Sequence, residues 1–123
     1  MRVFSINKSL HEISGIVYQC GVEDHEGDVI EDPAVLQDAA FDFMERYSNG
    51  ERDMFNVDHD DQRLVDGIQV RESFFTEAET IHKKVKIPRH AWILTLAIPE
   101  GLWPLLSRAK GFSMQGYGEG IDR

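Results

Sequence analysis

The sequence holds one cysteine, four prolines and few basic residues. A single cysteine, Cys20, excludes an internal disulfide and a cysteine-based zinc site, and fits a reducing compartment. No apolar run approaches the roughly 20 residues needed to span a bilayer as a helix. Met1 to Leu10 lack the apolar centre of a signal peptide. Lys and Arg number 13 against 22 Asp and Glu, a formal net charge of −9. This balance argues against nucleic acid, because a phosphate backbone would be repelled by most of the surface. It leaves basic or neutral protein substrates open. Repeats, low-complexity tracts and linker-like shifts of composition are also missing.

What remains is a chain of 123 residues, 41% apolar and 28% charged. Those figures describe a soluble globular protein, read as a single domain over residues 1–123. Ser14 to Val22 are β-branched and aromatic and predict a strand, beginning as early as Arg2. Asp32-Pro33 is a helix start, with Asp32 as cap and Pro33 in the first turn. Val35, Leu36, Ala39, Ala40, Phe43, Met44 and Tyr47 then recur at helical spacing, and Asn49-Gly50 ends the run. Leu64 to Phe75 predict a strand or hairpin with Ile68, Val70 and Phe74 on one face. Thr76 to Lys83 read as a loop or turn, and the late part of Lys84 to Ile98 as a strand. A short helix is expected around Leu102 to Ala109, and a last strand over Phe112 to Tyr117. The fold class is α+β: a small, mostly antiparallel, barrel-like domain with two flanking helices.

Two segments could carry chemistry. In Asn56-Val57-Asp58-His59-Asp60-Asp61 a histidine follows an apolar run, where an imidazole could act as general base. The plainer reading is a solvated acidic turn. A third reading is a metal cluster on Asp58 to Asp61, although adjacent residues cannot all face one ion. In Gly111-Phe112-Ser113-Met114-Gln115-Gly116 small residues surround a serine and could let a substrate backbone approach. The plainer reading there is a strand serine beside a glycine-rich turn. Glu72 reads as the solvent-facing member of an alternating strand; buried, it would need a partner such as an imidazolium. His25, His82 and His90 read as solvated, Cys20 as buried and inert, and Trp92 and Trp103 as core.

In this order the motifs resemble those of a known family. Asp24-His25-Glu26-Gly27-Asp28-Val29-Ile30, followed by a helix, is similar to the Asp-x-x-Gly-Asp opening of tailed-phage prohead proteases. The segment around His59 resembles their catalytic-histidine segment and that of the herpesvirus assembly protease. The segment around Ser113 resembles the Gly-[Leu/Phe]-Ser-[Ile/Met] nucleophile strand. Val70 to Phe75 and Trp92 point to the XkdF-like phage serine proteases. The resemblance runs from about Ile13 to Gly118. It implies a serine endopeptidase that needs no cofactor or metal and processes phage scaffold and major capsid proteins, inside the assembling prohead in the bacterial cytoplasm. His59 carries over as general base and Ser113 as nucleophile. In many prohead proteases the resemblance implies a third, orienting residue downstream of the serine. Here ten residues follow Ser113, and Glu72 is taken in its place, a dyad being the alternative. No nucleic acid or membrane partner is expected, and a homo-oligomer is left open. Two other functions stand beside this one: an inactive capsid-assembly factor of the same fold, and a small metal-dependent hydrolase using Asp58 to Asp61.

Overall fold

The computed structural model describes residues 1–23, 27–51, 55–57, 60–64, 67–104 and 112–114, with 55–57, 60–64 and 112–114 described through their backbone. The expected first strand is a hairpin of two, β1 (Arg2–Asn7) and β2 (Glu12–Gln19). Asn7 Oδ1 accepts from the Leu10 amide at 3.0 Å and stabilises the turn between them. Gly15 in β2 is obligatory, because a Cβ there would lie 2.7 Å from the Arg2 carbonyl oxygen and 2.7 Å from the Met1 side chain.

The helix α1 (Pro33–Ser48) keeps the expected bounds. Asp32 Oδ1 accepts from the Ala34 amide at 2.9 Å, and Gly50, at φ 94°, turns the chain away. Leu36, Ala40 and Phe43 are buried, whereas Val35 of the expected stripe is exposed.

Two short strands follow, β3 (Phe55–Val57) and β4 (Asp60–Leu64), then β5 (Gln69–Phe75). The expected polar loop after β5 is half of a second hairpin, β6 (Thr80–His82) and β7 (Val85–Ile87), before β8 (Ala91–Ala97). Of the expected second helix, Leu102 closes a 3-10 turn (Glu100–Leu102) and Trp103 and Pro104 continue in helical conformation; residues 105–109 lie outside the described residues. The last described strand is β9 (Phe112–Met114); the rest of the expected strand, 115–117, lies outside the described residues.

All described strand pairs are antiparallel. The main sheet has the order β1-β2-β8-β5, a second has β4-β3-β9, and β6 and β7 pair alone. The expectation of a barrel-like domain is therefore corrected: among the described residues no sheet closes, and the main sheet ends at β1 and β5.

The main sheet is the middle of three layers. On one face Ile13, Val17, Trp92, Leu94 and Leu96 pack against Leu36, Ala40 and Phe43 of α1. On the other, Ile16 and Ile93, with Phe4 and Phe74, meet Val85 and Ile87 of the second hairpin. Both faces of β8 are covered, so it reads as a continuous apolar run with one break, Thr95. A bulge at Arg71 sets the faces of β5. Val70 pairs with Leu96 and Glu72 with Thr95, so Arg71 is an extra residue. Val70 thus packs on the helix side while Glu72 and Phe74 fall on the hairpin side, which corrects the expectation of Val70 and Phe74 on one face.

Candidate active site

The second sheet brings together the two sequence segments singled out for catalysis. In β3 and β9, Phe55 pairs with Met114, Asn56 with Ser113 and Val57 with Phe112. The backbone of Ser113 therefore lies opposite Asn56, three positions before His59. Asn56 and Ser113, 57 positions apart in sequence, sit on neighbouring strands of one sheet. His59 itself lies outside the described residues, as does His25, and Ser113 is described through its backbone alone. Of the cluster Asp58 to Asp61, Asp58 and His59 lie outside the described residues, and Asp60 and Asp61 are described through their backbone in β4. Among the described residues, no group of three histidine, cysteine or carboxylate side chains is arranged to hold a metal ion.

Glu72 is fully described, and it sits in a network that was not legible in the sequence. Ser14 of β2, Thr95 of β8 and Glu72 of β5 are cross-strand neighbours on the hairpin face of the main sheet. Thr95 Oγ1 donates to Glu72 Oε1 at 2.6 Å. With the Thr95 proton so used, Ser14 Oγ is the donor in its 2.6 Å bond to Thr95 Oγ1. Lys83 Nζ donates to Ser14 Oγ at 2.6 Å and to Thr95 Oγ1 at 3.2 Å, and lies 3.4 Å from Glu72 Oε1. His82 Nε2 lies 3.0 Å from the same oxygen; an ionised carboxylate can only accept, so Nε2 carries the hydrogen.

Partial burial pushes the Glu72 carboxyl up, but hydrogen bonds from Thr95 and His82 and the charges of His82 and Lys83 outweigh it. The net result is a carboxyl held below the usual range. Two expectations change here. His82 is not simply solvated: it is wedged between Phe74, with ring centroids 5.1 Å apart, and the Glu72 carboxylate. An imidazole does partner Glu72, and it comes from the hairpin tip.

The network includes a serine in contact with a lysine, a pair that in other settings makes a nucleophile. Ser14 is only 1% exposed, so no peptide carbonyl can reach it. Its role is to hold the hairpin. The hint available in the sequence was Thr95, the one polar residue in the apolar run of β8. The register that aligns it with Ser14 and Glu72 was not available there.

The other residues singled out divide. Trp92 is buried, edge-on to Phe43, and its indole N–H donates to Ser73 Oγ. Trp103 is part-exposed and stacks on His11 at 4.8 Å. His90, expected to be solvated, stacks on Phe75. Cys20, expected to be buried, is partly exposed; burial of its thiol and the nearby Asp32 charge push its pKa up, which leaves it a neutral, weak nucleophile.

No helix among the described residues is long and apolar enough to cross a membrane. Neither a curated protein nor a solved structure matches the chain. A family model described as "Putative phage serine protease XkdF" matches residues 3–122, nearly the whole chain. By that match the protein belongs to the XkdF family of phage serine proteases.

Proposed function

We propose that the protein is a single-domain serine endopeptidase that cuts scaffold and major capsid proteins during phage head maturation, in the bacterial cytoplasm and within the assembling prohead. His59 is the general base and Ser113 the nucleophile. The family match supports a phage protease, and the strand register that sets Ser113 opposite Asn56, close in sequence to His59, is the observation that favours this pair.

In the proposed reaction Ser113 Oγ attacks the scissile carbonyl carbon while His59 takes the hydroxyl proton. Backbone N–H groups hold the developing oxyanion, and the imidazolium returns its proton to the leaving amine. Water then hydrolyses the acyl-serine by the same route in reverse. We read the site as a dyad and assign Glu72 to the hairpin, since its Oε1 already faces Thr95, His82 and Lys83.

The test is cleavage of a co-expressed scaffold protein. Ser113→Ala is expected to lower cleavage by about a thousandfold or more with an unchanged circular dichroism spectrum. Undiminished cleavage would remove Ser113 as nucleophile. Glu72→Gln is expected to leave kcat/KM within about threefold. A much larger fall in a folded Glu72→Gln protein would restore Glu72 as the residue that orients His59.

A further inference from the structure

We propose that the cleft between the end of the β1–β2 hairpin and the β6–β7 turn binds an extended acidic segment of a partner protein. The cleft measures about 560 Å³, and its walls include Ile6, Lys8, Leu10, Glu12, Lys83 and Lys84.

Charge is the first argument. In a chain of net charge −9, three of the 13 basic residues converge on this one cleft, against a single carboxylate. That carboxylate, Glu12, faces Arg71 at 3.6 Å. Lys83 is engaged with Ser14, Thr95 and Glu72. Lys8 and Lys84 have no ion-pair partner among the described residues, so two ammonium groups remain to meet carboxylates of a ligand.

Backbone conformation is the second argument. The two-residue turn from His82 to Val85 has Lys83 at φ 52° and Lys84 at φ 65°. Such a turn favours Asn-Gly, because side chains with a Cβ are strained at positive φ. The strain at Lys83 is offset by its bonds to the sheet. Lys84 has no such contact, so the turn accounts for its backbone but nothing in the fold accounts for a lysine where glycine is favoured, which points to a use outside the fold.

The form of the ligand follows from the strand. β1 ends the main sheet and pairs only with β2 among the described residues. A free edge offers backbone donors and acceptors to an added strand. Leu10, 62% exposed, supplies apolar contact beside the lysines. An extended segment that alternates carboxylates with apolar residues satisfies all three features. Edge lysines can also serve merely to block unwanted strand pairing, and the two roles predict different outcomes.

The probe is a fluorescent eight-residue peptide of alternating glutamate and valine, with a lysine and valine peptide as control, followed by fluorescence anisotropy. The Ser113→Ala protein is used throughout, so the result does not depend on the protease reading. The acidic peptide is expected to bind saturably and to lose about tenfold or more in affinity between about 50 and 300 mM salt. Lys8→Glu with Lys84→Glu is expected to cost a similar factor. Lys84→Gly, which keeps the turn and removes the charge, is expected to cost about threefold. Absence of saturable binding at about 1 mM protein would overturn the proposal, as would equal binding of the basic peptide. Unchanged affinity in the double variant would do the same. Sedimentation provides a separate check: a wild-type dimer that the double variant dissolves would place a second copy in the cleft and overturn the partner assigned here.

Discussion

On the helix side of the main sheet, large apolar side chains interlock: Phe43 meets Trp92 edge to face, and Leu36 and Ala40 share one buried cluster with Leu94 and Leu96. On the hairpin side the apolar patch is small, and beside it runs the polar row Ser14, Thr95 and Glu72 under His82 and Lys83. The two sides hold their covering elements by different means. Apolar packing is strong and tolerant of direction, whereas a buried polar row stabilises only when every donor finds its acceptor. The helix side therefore sets how stable the domain is, and the hairpin side sets where one particular element rests.

Mutations at matched places should expose that difference. Phe43→Ala is expected to cost about 3–5 kcal/mol, read from urea unfolding; a cost below about 1 kcal/mol would mean that α1 is not the main source of stability. Lys83→Ala is expected to cost about 1–3 kcal/mol, because Ser14 and Thr95 lose a donor in a buried place. Hydrogen exchange should quicken in β6 and β7 while α1 stays protected; uniform quickening would erase the distinction between the two sides.

Glu72→Gln should have a smaller effect, expressed through pH. The folded-state carboxyl lies below its unfolded value, so its contribution is complete above the ordinary carboxylate range and is lost as pH falls through the folded-state value. Acidification should therefore destabilise the wild type more than the variant. Parallel stability curves across that range would show that the network adds no pH dependence. Lys84→Gly should have the smallest effect and the opposite sign: a gain below about 1 kcal/mol from relief of the left-handed turn, seen as a raised unfolding midpoint.

How much of this was legible in the sequence follows the same division. The helix was readable to its ends because Asp32, Pro33 and Gly50 act locally, through caps and turn conformations. The β6–β7 hairpin was not, because Lys83-Lys84 occupies a turn whose usual signal is Asn-Gly. The faces of β5 were misread because a bulge has no mark in an alternating pattern. His59 and Ser113 stood out through the order of short motifs, and Glu72 through its type. The partners of Glu72 come from β6, the turn and β8, and only strand register brings those together.

The bulge at Arg71 has a consequence for how this chain can vary in length. In a regular strand, losing one residue turns every later side chain to the opposite face. β5 carries one residue more than its partner β8 requires, since Val70 is matched to Leu96 and Glu72 to Thr95. A deletion of Arg71 leaves Glu72, Ser73, Phe74 and Phe75 on their present faces and gives up little more than the 3.6 Å approach to Glu12. At this position, dropping a codon is a gentler change than many substitutions nearby, and length variation among natural variants should collect there.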